Sequence, residues 1–88
     1  MYSLLFSKKA DKQLSKIDNN VRMFLITWLI KNINNCENPR QHGKGLVGNK
    51  SGEWRYRIGN YRALCEIDDN KHTIIVLSIA HRKSIYTK

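Results

Sequence analysis

Three arginines crowd one short stretch of this sequence, Glu53-Trp-Arg-Tyr-Arg-Ile-Gly-Asn-Tyr-Arg-Ala-Leu-Cys-Glu-Ile67, on either side of Gly59-Asn60. A Gly-Asn pair between runs of aromatic and β-branched residues reads as a two-residue hairpin connection, since both residues tolerate positive φ. That register sets Arg57 directly opposite Arg62. Two facing guanidinium groups cost stability unless an anion sits between them, so the chemistry these residues suit is phosphate binding. The plain alternative is that long arginine stems splay into water over a half-buried sheet. A second group lies at the end of the chain. His81-Arg82-Lys83-Ser84-Ile85-Tyr86-Thr87-Lys88 carries an imidazole, a guanidinium and a phenol within six residues, all of which can serve phosphoryl transfer. Here the alternative is a basic terminus pinned by Ile85 and Tyr86.

The elements that must position these groups follow from side-chain alternation. With Gly59-Asn60 as the loop, one hairpin face carries Trp54, Tyr56, Ile58, Tyr61, Ala63, Cys65 and Ile67, and reads as core. The other carries Arg55, Arg57 and Arg62 with Leu64 and Glu66. Thr73 to Ala80 is an almost unbroken apolar strand, buried on both faces. A three-residue loop at Asp69 to Lys71 would pair Cys65 with Ile75, Ala63 with Leu77 and Arg62 with Ser78. Ile75, Leu77 and Ile79 would then face the helices, while Ile74, Val76, Ser78, Ala80 and, beyond them, Arg82 would share the face of Arg62. A two-residue loop would reverse that parity.

Upstream, Tyr2, Leu4 and Phe6 alternate with Ser3, Leu5 and Ser7 as a short strand. A helix begins at Ser7 or Asp11, with Ala10, Leu14 and Ile17 on its apolar side and Lys8, Lys9, Lys12 and Lys16 on the others. Asp18-Asn19-Asn20 can cap a second helix from about Val21 to Asn35. Its stripe of Val21, Phe24, Leu25, Trp28 and Leu29, widened by Met23, Ile26, Ile30 and Ile33, reads as core. Asn38-Pro39 ends it. A glycine-rich basic loop follows, with Arg40, His42, Lys44 and Lys50; His42 reads as a surface residue or a phosphate contact.

The chain has 88 residues, enough for one domain. Its 16 Lys and Arg against 7 Asp and Glu leave a formal charge of +9, which points to a polyanionic partner. Cys36 and Cys65 show no metal-ligand spacing and read as small buried hydrophobes, as expected in a reducing cytoplasm. No targeting or membrane-spanning segment is expected.

In Asn38-Pro39, His42-Gly43-Lys44, Trp54-Arg-Tyr-Arg-Ile-Gly-Asn-Tyr-Arg62 and His81-Arg82-Lys83-Ser84-Ile85-Tyr86, the chain resembles the RelE-type toxins of bacterial toxin–antitoxin pairs, within the RelE/ParE superfamily. The resemblance implies an α+β domain of order β-α-α-β-β-β, with two N-terminal helices on one face of a small twisted sheet and a short C-terminal segment. It implies an endoribonuclease without metal or cofactor that enters the ribosomal A site and cuts mRNA there. The 2′-hydroxyl attacks the phosphate and the 5′-oxygen leaves. Implied partners are the ribosome with its rRNA and mRNA, a cognate antitoxin with an acidic inhibitory segment, and operator DNA only through the antitoxin complex.

By position, Arg62 and Arg82 match arginines that bind the scissile phosphate, and Tyr86 matches a C-terminal tyrosine that stacks on or protonates the substrate. Arg55 and Arg57 fall where some RelE toxins have lysines. A guanidinium is too weak an acid to serve as a base, so Arg55 and Arg57, with Lys44 and Lys50, are assigned electrostatic roles. The base falls to His81, with Tyr86 competing. Lys8, Lys9, Lys12 and Lys16, distant from the pocket, suit a distributed grip on rRNA. A ParE-like inhibitor of DNA gyrase would share the fold, although such proteins generally lack this combination of sheet arginine, His-Arg after the last strand and terminal tyrosine. A catalytically silent relative that binds nucleic acid with its antitoxin is a third possibility.

Overall fold

The computed structural model describes residues 1–45 and 53–83. Strand β1 (Ser3–Phe6) turns Leu4 and Phe6 toward the core and leaves Ser3 and Leu5 exposed. The Ser7 hydroxyl accepts the Ala10 N–H at 3.0 Å and so starts helix α1 (Lys8–Ser15), which buries Ala10 and Leu14. Asp18 caps helix α2 (Asn19–Asn32) by accepting from the Asn20 N–H at 3.1 Å. The helix ends three residues before Asn35, which takes the left-handed conformation at φ 63°. Leu25, Leu29 and Ile33 are fully buried. Met23, Phe24 and Ile30 are more than half exposed, so the wide apolar stripe expected as core is core along only part of its width. The physical reason is layer count: a helix lying on a single sheet has an outer side with nothing to pack against.

Five strands form one sheet in the order β1-β5-β4-β3-β2, from β2 (Lys44–Gly45), β3 (Glu53–Ile58), β4 (Tyr61–Asp68) and β5 (Thr73–His81). The fold is α+β as expected, with β2 added to the anticipated β-α-α-β-β-β order. β1 runs parallel to β5. Its outer edge is closed by the segment after α2: the Tyr2 N–H donates to the Cys36 carbonyl at 2.9 Å, Asn35 N–H to the Tyr2 carbonyl at 2.7 Å, and Leu4 N–H to Asn34 Oδ1 at 3.2 Å. An edge satisfied in this way offers no template to another strand.

The β3–β4 hairpin has the expected register, with Ile58 opposite Tyr61, Arg57 opposite Arg62, Tyr56 opposite Ala63, Arg55 opposite Leu64 and Trp54 opposite Cys65. The β4–β5 register differs from both loop lengths considered from the sequence. Asp68 pairs with Thr73, so four residues form the turn, with His72 at φ 52°. Cys65 pairs with Val76 and Glu66 with Ile75, which puts Ile74 and Val76 in the core in place of Ile75 and Leu77. A bulge then restores the other parity: Leu64 pairs with Ser78, Ala63 with Ile79 and Arg62 with Ala80, and Leu77 is the extra residue.

Helix α1 and its cap hold that bulge. The Ser7 hydroxyl donates to the Leu77 carbonyl at 2.9 Å and the Ile79 N–H donates to Gln13 Oε1 at 2.6 Å. Polar groups that β1 is too short to reach are thus satisfied by side chains. The core lies between the helices and one sheet face, and gathers Ala10, Leu14, Leu25, Leu29 and Ile33 with Tyr56, Ile58, Ala63, Cys65, Ile67, Ile74, Val76 and Ile79. Among the described residues no helix is long and apolar enough to cross a membrane.

Candidate functional site

On the sheet face away from the helices, Gly43, Lys44, Arg55, Arg57 and Arg62 line a cleft of about 290 Å³. Register pairs them: Arg57 faces Arg62, and Lys44 faces Arg55 across β2 and β3. Arg62 is only 8% exposed, yet among the described residues its side chain makes one hydrogen bond, from Nη1 to the Tyr61 carbonyl at 3.1 Å. Among the described residues no carboxylate pairs with Arg55, Arg57 or Arg62. A nearly buried guanidinium beside a second one, without a counter-ion, is an arrangement that an anion completes. Ala80 stands opposite Arg62 on its other side and leaves room for the side chain. At the far end of the same face Glu53 sits opposite Glu66. These carboxylates repel an anion and confine it to the turn end of the hairpin.

The rim of the cleft is built from β3 outward. Trp54 and Tyr56 point toward the helix side, and each has one polar atom to satisfy. Trp54 Nε1 donates to the His42 carbonyl and the Tyr56 hydroxyl to the Pro39 carbonyl, both at 2.6 Å. Burial pushes the Tyr56 phenol above its ordinary range, which keeps it a donor. These two bonds hang the 3₁₀ turn Pro39–Gln41 and His42 on the sheet and deliver Lys44 to its place opposite Arg55. Gly43 makes the turn at φ +82°; a Cβ there would collide with the Arg55 carbonyl and lie 2.7 Å from Trp54 Nε1 and 2.9 Å from Tyr56 Cδ1. Arg40 adds a third tie, donating to both carboxylate oxygens of Asp69 at 3.1 and 3.0 Å, while the Tyr2 hydroxyl donates to Asp69 Oδ1 at 2.6 Å. The Arg40 hydrogen bonds, then that of Tyr2, hold the Asp69 carboxyl below its usual range.

Of the residues singled out from the sequence, Arg55, Arg57, Arg62 and Lys44 come together in the cleft. Arg82 is exposed one residue past β5, its N–H bonded to the Asn60 carbonyl of the hairpin turn at 2.7 Å. His81 pairs with Tyr61, the neighbour of Arg62, and its ring meets the Tyr61 ring edge-on at 5.3 Å. Strand alternation therefore directs it away from the arginine face. Its Nδ1 accepts the Lys83 N–H at 3.2 Å, which leaves the proton of a neutral ring on Nε2. Lys50 and Tyr86 lie outside the described residues.

His42 is half-buried with its ring edge-on to Trp28 at 5.7 Å, a packing role. Sequence reasoning missed the rim built by Trp54, Tyr56 and Gly43. The available signal was that a buried indole N–H or phenol must find an acceptor. Burial pushes the Cys65 thiol up to about 12 and raises that of Cys36, so neither is a nucleophile at neutral pH. Among the described residues no three His, Cys, Asp or Glu side chains gather to hold a metal ion.

Residues 4–86 match the family described as the ParE toxin of type II toxin–antitoxin system, parDE. Toxin RelE3 of Methanocaldococcus jannaschii is 34% identical over 85 residues, covering 94% of this chain and 93% of that protein. Toxin RelG of Mycobacterium tuberculosis is 28% identical over 87 residues, covering 99% of this chain and 98% of that protein. Among solved structures, a chain of the RelBE2 toxin–antitoxin complex of Mycobacterium tuberculosis superposes with a TM-score of 0.81 at 27% identity, over 92% of this chain and 91% of that one.

Proposed function

The chain belongs to the RelE/ParE superfamily of toxins from type II toxin–antitoxin systems, and on that premise we propose that it is a cytoplasmic, ribosome-dependent endoribonuclease that cuts mRNA in the A site without a metal. The observation that carries this reading is the cleft of Arg55, Arg57, Arg62 and Lys44, a cationic site of about 290 Å³ with no carboxylate paired to its arginines among the described residues. A gyrase inhibitor has no need of a buried guanidinium held open to an anion.

In the proposed reaction the 2′-hydroxyl oxygen bonds to phosphorus, the bond to the 5′-oxygen breaks, and the products are a 2′,3′-cyclic phosphate and a 5′-hydroxyl. Arg62 and Arg57 grip the non-bridging oxygens, and their charge stabilises the phosphorane as negative charge builds on it. Lys44 and Arg55 hold the flanking strand, with Lys50, and Arg82 approaches the phosphate from the turn side. His81 takes the 2′-hydroxyl proton, which requires its Nδ1 to release the Lys83 N–H and the ring to turn past the end of β5 toward the cleft. Tyr86 is the competing base and otherwise stacks on the substrate or protonates the leaving oxygen. His81→Ala should cut programmed ribosomes at least about a hundredfold more slowly, within the usual contribution of general acid–base catalysis. A variant that cuts like the parent while Tyr86→Phe is inactive would transfer the role to Tyr86.

A cognate antitoxin inhibits the toxin, and an acidic segment laid across the arginine face would do so by filling the cleft. The second reading, a ParE-like gyrase inhibitor, is favoured by the description of the matching family. Fold cannot separate the two. Mapping message ends in a translation mixture, with a gyrase supercoiling assay alongside, does: codon-aligned cuts with normal supercoiling support the ribonuclease, and intact message with blocked supercoiling overturns it.

A further inference from the structure

Lys44 belongs to an element too short to hold itself. Strand β2 has two residues and stands at the sheet edge beside β3, so its place depends on the segment before it. That segment rests on Trp54. The indole Nε1 donates to the His42 carbonyl, and Gly45 packs on the ring, where a Cβ would lie 3.1 Å from Cζ3. The Arg40 guanidinium lies over the same ring, 6.0 Å from its centroid. What fixes Arg40 comes from the β4–β5 turn. Asp68 Oδ1 accepts the Asn70 and Lys71 N–H groups at 3.0 and 3.1 Å and closes that turn locally, which leaves the Asp69 carboxylate for longer connections. It accepts from both terminal nitrogens of Arg40, 29 residues away, and from the Tyr2 hydroxyl, 67 residues away.

With the cleft taken as an RNA site, the premise of the proposed reaction, we infer that Asp69 is a positioning residue for RNA, which it never touches: by holding Arg40 on Trp54 it keeps Lys44 in the cleft. Asp69 follows the end of β4, roughly 23 Å of strand away from Arg62, too far to meet a phosphate gripped there. Its stabilising effect is small, because the Arg40 and Asp69 side chains are 38% and 56% exposed and exposed ion pairs contribute little to folding. Its leverage is geometric. A bidentate guanidinium–carboxylate pair fixes direction as well as distance, and the guanidinium so fixed is the one that covers the indole. Loss of Asp69 frees Arg40 to leave Trp54, and with it the turn that delivers Lys44 to its place opposite Arg55.

Charge and position predict opposite signs. Asp69→Asn adds one unit of positive charge to a chain that carries +9 and releases a guanidinium from its carboxylate. Were charge alone to decide, RNA would bind more tightly and with a steeper salt dependence. Where position decides, binding weakens in spite of the added charge.

The probe is a short single-stranded RNA with 2′-O-methyl riboses, which lacks the attacking hydroxyl, titrated across a salt series with the parent, Asp69→Asn, Lys44→Gln and the double variant. Thermal melts first set a temperature at which all four are folded. One lost phosphate contact on a single strand makes the slope of log affinity against log salt shallower by about 0.7 and lowers the affinity near 0.1 M salt by about fivefold. Asp69→Asn and Lys44→Gln should each show that loss. The double variant should bind no more weakly than Lys44→Gln alone, since Asp69 acts through Lys44. Asp69→Glu, which keeps the carboxylate, should recover most of the parental affinity. Equal or tighter binding by Asp69→Asn would overturn the inference and leave Asp69 a structural residue. Losses that multiply in the double variant would overturn it as well, by placing the effect of Asp69 outside Lys44. A parent that shows this coupling yet never cuts message would overturn the ribonuclease reading and leave the positioning role standing, whereas a parent that does not bind the RNA would overturn both.

Discussion

Replacing Arg62 by methionine separates chemistry from folding, because the two consequences differ in size and can differ in sign. Methionine keeps most of the buried stem and removes the charge, so the 8% exposed site loses little packing. What the fold loses is one hydrogen bond, to the Tyr61 carbonyl at 3.1 Å, worth about 0.5–1.5 kcal/mol. What it gains is relief of the Arg57–Arg62 cross-strand repulsion, roughly 0.2–1 kcal/mol, together with release from keeping a charge out of water. The balance lies within about 1 kcal/mol of zero, or a melting shift of roughly 4–8 °C at most for a domain of this size. Removing a donor aimed at developing negative charge instead costs about 2.7–4 kcal/mol of transition-state stabilisation, a loss of about a hundred- to a thousandfold in single-turnover cleavage on programmed ribosomes. A variant that melts near the parent and cuts at the parental rate would refute the assignment of the phosphate to this cleft. One that loses activity only in proportion to unfolded protein would make Arg62 a structural residue.

Gly43→Ala should lower the melting temperature by at least about 8 °C, since a side chain at φ +82° meets the Arg55 carbonyl and the rings of Trp54 and Tyr56; strain and overpacking together come to roughly 2–5 kcal/mol. Residual cleavage should show a raised requirement for substrate, because Lys44 loses its place opposite Arg55. Gln13→Ala leaves the Ile79 N–H of the bulge without its acceptor and should cost about 1–3 kcal/mol in chemical denaturation, with the arginine cleft intact. Asp69→Asn tests the tie of Arg40 and Tyr2: a carboxyl held below its ordinary value stabilises the fold above that value, and the contribution disappears as pH falls through the lowered one. The variant should therefore melt below the parent at neutral pH, with the two converging below about pH 3.9.

The hairpin was legible because every signal it needs is local: Gly59-Asn60 fixes the turn, alternation fixes the faces, and the facing arginines follow. β5 was not, because its register depends on groups far away in the chain. A turn of four residues with His72 in the left-handed region resembles a shorter loop in sequence, and the bulge at Leu77 exists because Ser7 and Gln13 supply its partners. Parity at Ser78 and Ala80 came out as expected only because the longer turn and the bulge compensate each other. β2 carries no strand pattern at all; its two residues pair because Trp54 and Tyr56 hold the preceding turn. The same alternation that gathered the arginines also turns His81 toward Tyr61, which the residue types in the tail could not reveal.

On this mechanism the arginine face holds a scissile phosphate. That is checked by giving the purified protein ribosomes paused on a defined message and identifying the new ends. The expected result is a single cut within the A-site codon, leaving a 2′,3′-cyclic phosphate and a 5′-hydroxyl, with the cut suppressed at least about a hundredfold by Arg62→Met. Intact message, or the same cut made equally well by Arg62→Met, would contradict it.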